Sequence, residues 1–151
     1  MSDGLVVDWL LFWDNQLLRA LRPQLPDALL LIALRDPRDM LLDWLAFGAP
    51  ASPLAIASPL SAAQWLAGVL DQVATLHEQD LQPHRLLRLD AVVDDAAALT
   101  TLVGTALGTT LPIPTGKAFP RFPPGHWRGY AEPLAEAFAA LTPVARRLGY
   151  E

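Results

Sequence analysis

The chain contains no cysteine, which excludes a disulfide framework, thiolate catalysis and cysteine-rich metal clusters. Basic charge is also scarce: formal net charge is −5, the wrong sign for a general nucleic-acid binder. All the cations are arginine except Lys117, so the positive groups present are the kind suited to forked recognition of phosphate or carboxylate. Long hydrophobic runs are missing as well. The longest, Ala28 to Leu34, falls far short of the roughly 20 residues of a membrane helix. Asp3, Asp8 and Asp14 break up the N-terminal region, and no basic patch precedes an apolar segment, so the expected address is the cytoplasm, without a cleaved leader and without membrane contact. Glycine is rare at the start, Gly4 being the only one before Gly48. That leaves no glycine-rich, phosphate-cradling loop in the first third of the chain.

What the chain has in plenty is apolar residue, 52% against 18% charged. With 151 residues this is enough for one domain with a real core. Asp14-Asn15 opens a helical pattern in Leu17, Leu18, Leu21 and Leu25, up to Pro26. Ala28–Leu34 is a continuous apolar run of strand length, the pattern of a strand covered on both faces in a parallel sheet. Pro37 suits the first turn of a helix that carries Met40, Leu41, Trp44, Leu45 and Phe47 and stops at Gly48. After a proline- and alanine-rich loop, Ser61 is the expected N-cap of a helix with Ala62, Trp65, Leu66, Val69, Val73 and Leu76 on one stripe. Arg85–Asp90 reads as a second strand, and Asp94-Asp95 starts a helix over Ala96–Leu107, closed by Gly108. Leu111–Pro124 is a proline-rich loop. A helix from about Trp127 to Leu141, interrupted near Pro133, and a last turn over Val144–Leu148 complete the chain. The alternation predicts an α/β class, a small parallel sheet flanked by helices in a single unit spanning residues 1–151.

Two blocks carry chemistry. In Leu34-Arg35-Asp36-Pro37-Arg38-Asp39-Met40 an arginine stands at the carboxyl end of a buried strand with a helix starting after it, the place where open α/β sheets bind ligands. Arg35 could fork onto a phosphate, or it could form an Arg–Asp salt bridge tying strand to helix, with Asp39 serving the helix dipole. In Arg121-Phe122-Pro123-Pro124-Gly125-His126-Trp127-Arg128 a cationic loop meets an aromatic anchor. It could close over a ligand, or Trp127 could plug the core with Arg128 stacked on it. The paired acids Asp94-Asp95 and Asp36/Asp39 read as helix caps, and Trp44 and Trp65 as core. His77, His84 and His126 are too far apart in sequence for a zinc site.

Arg35-Asp36-Pro37-Arg38-Asp39 after its apolar strand resembles the segment by which sulfotransferases hold the 3′-phosphate of their donor, 3′-phosphoadenosine 5′-phosphosulfate (PAPS). Gly125-His126-Trp127-Arg128 with Tyr130 resembles that family's Gly-x-Trp-Lys/Arg signature, and the ending Leu141–Tyr150 is similar to the close of bacterial sulfotransferase domains that follow tetratricopeptide repeats. Leu87-Arg88-Leu89-Asp90 stands where the family has a Tyr-Glu pair. The resemblance implies the C-terminal portion of a P-loop-like sulfotransferase fold, with Arg35 and Arg121 as the cofactor-binding residues, PAPS as donor, no metal, and a hydroxyl or amine acceptor. It also implies three departures. Asp43 stands where the family has a phosphate-binding serine, Pro120 replaces a loop cation, and the loop for the 5′-phosphosulfate and the catalytic base have no counterpart. The expectation is a chain inactive by itself, either waiting for a complementing N-terminal segment or serving as a non-catalytic binding protein or scaffold. A further expectation is that Leu5–Phe12 pairs with Ala28–Leu34, or that the chain self-associates through that edge.

Overall fold

A computed structural model describes residues 14–48, 57–113 and 121–151. The expectations for Leu5–Phe12, for most of the loop after Gly48 and for the middle of Leu111–Pro124 fall outside the described residues. The elements are α1 (Asn15–Leu21), β1 (Leu30–Leu34), α2 (Pro37–Phe47), α3 (Pro59–Gln79), β2 (His84–Arg88), α4 (Ala96–Leu107), a 3-10 turn (His126–Tyr130) and α5 (Ala135–Arg147). β1 and β2 pair in parallel, in register from Leu30 with His84 to Leu34 with Arg88. Parallel neighbours need a long crossover, and α2 and α3 supply it. The described residues therefore form an α/β arrangement with a two-stranded parallel sheet.

Side chains alternate across the pleat. Ile32 and Leu34 of β1 enter the core with Leu41 of α2, Leu66 and Leu76 of α3 and Leu141 of α5. On the opposite face Leu87 is buried outside that core, while Ala33 is exposed. The most extensive helix packing is α3 on α5. At its end Arg147 of α5 forks onto Glu78 of α3, Nε at 3.0 Å and Nη2 at 2.8 Å, and reaches Asp71. The hydrogen bond from Arg147, and to a lesser degree its charge, lowers the Glu78 pKa below its ordinary value.

Several sequence expectations need correction. β1 starts at Leu30, not Ala28, because the buried Gln82 amide donates to the carbonyls of Leu25 (3.0 Å) and Ala28 (2.8 Å) and holds that stretch in a turn. β2 spans His84–Arg88 rather than Arg85–Asp90, and the chain turns at Leu89, whose carbonyl accepts from Val92 N. The cap of α3 is Ser58, not Ser61. The two serines form a reciprocal box, Ser61 N to Ser58 Oγ at 3.1 Å and Ser58 N to Ser61 Oγ at 2.9 Å, with Pro59 in the first turn. Finally, α5 is one helix from Ala135 to Arg147 with Pro143 inside it. Burial of Leu141, Val144 and Ala145 on one face outweighs the single backbone bond that proline cannot make.

The α3 stripe is also rotated from its expected position. Ala63 and Leu70 are buried on it, whereas Trp65 is 38% exposed and instead tilts against half-buried Trp44, ring centroids 5.1 Å apart. Replacing the capping serine tests the start of α3. Ser58→Ala should cost about 1 kcal/mol in chemical denaturation, and an unmoved midpoint would show that the box contributes nothing.

Candidate functional site

The site begins at the last residue of β1. Asp36 caps α2, accepting from Arg38 N at 2.9 Å, and Arg38 folds back to fork onto the same carboxylate, Nε at 2.8 Å and Nη2 at 2.7 Å. Asp36 N in turn donates to Asp90 Oδ1 at 3.1 Å, which ties the carboxyl ends of the two strands together. Arg35 lies between these groups and the body of α2, and only 8% of it is exposed. Its Nη1 pairs with Asp43, its Nη2 donates to the Phe122 carbonyl at 2.7 Å, and its Nε is buried with no acceptor.

Asp39 and Asp43 are spaced four apart and so share one face of α2; both fasten the loop after residue 120. Asp43 Oδ1 accepts from Phe122 N at 2.7 Å. Asp39 is fully buried and accepts from Gly125 N at 2.5 Å and Trp127 N at 2.9 Å. Burial raises the Asp39 pKa above its ordinary value; the bonds from Trp127 and Gly125 oppose this, nearby Asp36 adds to it, and Arg35 opposes it. Gly125 has φ +77°, a left-handed conformation that side-chain-bearing residues rarely adopt, so a substitution there is strained. Trp127 is held between Arg38, 3.8 Å from the ring centroid, and Arg128 at 5.1 Å, and meets Phe138 edge-on.

The structure thus brings together the two sequence blocks, but its contacts follow the structural alternatives for them. Arg35 makes the salt bridge from strand end to helix, and Trp127 packs inward with Arg128 on it. Asp39 stands in the first turn of α2, as a dipole group would, but the cap is Asp36, and the Asp39 carboxylate also binds the loop, accepting two backbone N–H groups where the chain returns to α2. Arg121 is the sequence neighbour of Phe122, whose carbonyl accepts from Arg35, yet its Nη2 donates to the Val93 carbonyl and to Asp94 at 3.1 Å. Asp94 therefore serves Arg121, while Asp95 alone caps α4, accepting from Ala97 N and Ala98 N at 2.9 Å.

Sequence reasoning missed a contact between His77 and His84, whose Nδ1 and Nε2 are 2.8 Å apart. His84 Nδ1 lies 2.8 Å from the Gln82 carbonyl. A carbonyl only accepts, so in the neutral pair His84 Nδ1 carries the proton and its Nε2 accepts from His77. The turn between α3 and β2 brings the two rings together, a closeness that a spacing of seven does not signal. Among the described residues no group of three or more His, Asp or Glu side chains could hold a metal ion. No described helix is long and apolar enough to cross a membrane.

Chemically, the strand end can hold one oxyanion on Arg35, and only if the Asp43 pair opens. Of the two residues expected to bind the cofactor, Arg35 pairs with Asp43 and the Phe122 carbonyl, and Arg121 with the Val93 carbonyl and Asp94. No family model matches the chain, and neither does any curated protein or solved structure.

Proposed function

We propose that the chain is a sulfotransferase-like segment whose Arg35 receives the 3′-phosphate of an adenosine nucleotide, weakly, and that it transfers no sulfo group by itself. The observation behind this reading is the fastening of the two arginine-bearing blocks, 34–40 and 121–128, around a buried guanidinium at the carboxyl end of a parallel strand. Arg35 Nε lacks an acceptor in that setting, and a buried donor without a partner is costly enough that an added oxygen acceptor is favoured. A complementing polypeptide carrying the phosphosulfate loop is the partner this reading requires, and the acceptor would be a hydroxyl or amine.

A second reading, a non-catalytic binding protein or scaffold, draws on a different observation. Asp43 already neutralises Arg35 and lines the place where a phosphate would sit. Titration with 3′-phosphoadenosine 5′-phosphate separates the two. Under the first reading Asp43→Ser tightens binding by removing a repulsive carboxylate, and Arg35→Ala weakens it at least about tenfold, the loss of one charge-assisted bond. Nucleotide that binds neither the unaltered chain nor Asp43→Ser favours the scaffold. Turnover by the purified chain with PAPS and a panel of phenols, sugars and amines would overturn the expected inactivity.

A further inference from the structure

The two strands run in register, so the amino end of the sheet, where Leu30 pairs with His84, lies opposite the Arg35 site. At that end His84 enters from β2 and His77 from α3, and their Nε2 and Nδ1 approach to 2.8 Å with the ring planes at 87°. His84 is the fixed partner. Its side chain is only 8% exposed, and its Nδ1–H donates to the Gln82 carbonyl at 2.8 Å. That bond keeps the proton on Nδ1 and leaves the Nε2 lone pair aimed at His77. Metal-binding histidines are oriented in the same way, by a hydrogen bond from the ring nitrogen that does not take the metal. His77 is exposed, so its proton can move to Nε2 and be solvated there, which frees Nδ1 to bind as well.

Two imidazole nitrogens 2.8 Å apart, each about 2.0–2.1 Å from a shared metal ion, subtend about 85–90° at that ion. This is the angle between neighbouring ligands in the tetragonal geometry of copper(II) or nickel(II), whereas tetrahedral zinc would spread the nitrogens to about 3.3 Å. His77 has only to tip its ring until the two lone pairs converge. The charges around the pair are balanced, so a cation is not repelled. Asp80 lies 3.8 Å from His84 Nδ1 and Glu78 follows His77, while Arg85 donates to the His84 carbonyl and Arg147 forks onto Glu78. We infer that His77 and His84 form a site for a copper(II)-type divalent ion, two imidazoles filling neighbouring positions and water the rest, which clamps the end of α3 to the start of β2. The site shares no residue with the surroundings of Arg35, so it stands whether or not Arg35 takes a nucleotide.

Copper(II) chloride in a buffer that does not chelate it is the probe, added to the full chain and followed by calorimetry, thermal unfolding and pulsed electron paramagnetic resonance. One equivalent should bind and raise the melting temperature, because folding is what brings the two ligands together. The spectrum of the unaltered chain should show two coordinated imidazoles. His77→Gln, a change at an exposed position, should weaken copper at least about tenfold, since losing even a partner that only orients a ligand costs that much. His126→Gln should leave the affinity unchanged, because that ring stacks on Phe122 in the other block. Unchanged affinity in His77→Gln, or a spectrum with one coordinated imidazole or none, would overturn the site and assign the ion to an adventitious position on the surface. The absence of saturable binding would overturn it as well. Zinc that binds more tightly than nickel would overturn the right-angled geometry.

Discussion

Replacing Asp39 by alanine is expected to lower folding stability by about 3 kcal/mol. The carboxylate is fully buried and satisfies Gly125 N and Trp127 N at once. Its removal leaves two buried donors unpaired, each at about 1–3 kcal/mol, partly offset because the loop can shift and admit water. Asp39→Asn keeps an acceptor and the volume, so it should cost less than alanine, and the two variants separate hydrogen bonding from charge. The acid dependence then has a definite sign. Because burial raises the folded-state pKa of Asp39 above its ordinary value, the native state binds its proton more readily than the unfolded chain does. The contribution of Asp39 to stability is thus greatest below the unfolded carboxyl pKa and declines as pH rises through the folded value. Asparagine cannot titrate, so the stability of the unaltered chain relative to Asp39→Asn should grow as pH falls from 7 to 4. Urea denaturation of both proteins at the two pH values measures this, and a relative stability that shrinks on acidification would contradict it.

Much of the frame follows from local sequence. The apolar run before Arg35, Pro37 at a helix start and Gly48 at its end place β1 and α2, and Asp95 with Gly108 bounds α4, because caps and periodicity act within a few residues. The strand-end position of Arg35 follows from the same signals. Its partners do not. Whether Arg35 meets a phosphate or Asp43 depends on where a loop some 80 residues away comes to rest, and nothing in the period of α2 says which loop its Asp39/Asp43 face will bind. The pair of carboxylates at a spacing of four was a usable sign that this face binds something. Trp65 was misplaced for a related reason: a stripe can be read from periodicity, but its rotation depends on which helix it faces, and α5 selects Ala63 and Leu70. Gln82, whose amide sets the start of β1 through Leu25 and Ala28, is one more long-range contact without a local mark.

The last expectation concerns the free edge of β1. Among the described residues β1 pairs only with β2, and a two-stranded parallel sheet leaves an unpaired backbone edge on each strand. An apolar strand in that position is a template for another strand. Leu30–Leu34 has no charged residue of its own to discourage pairing, and its Ala33 side chain is exposed. We expect the edge of β1 to be covered by a further strand, either Leu5–Phe12 of the same chain, which lies outside the described residues, or a second copy. The choice of control follows from the pleat. Ile32 is only 8% exposed and sits in the core, so Ile32→Lys would bury a charge and unfold the protein. Ala33→Lys places the charge on the open face beside the edge, where two copies pairing would bring like charges together. If copies associate, light scattering should show a concentration-dependent dimer, and Ala33→Lys should weaken it at least about tenfold, a change of about 1.4 kcal/mol. If Leu5–Phe12 covers the edge, the chain stays monomeric and amides in that segment and on the outer side of β1 are protected together. A monomer at high concentration in which the amides of residues 5–12 exchange freely would rule out both.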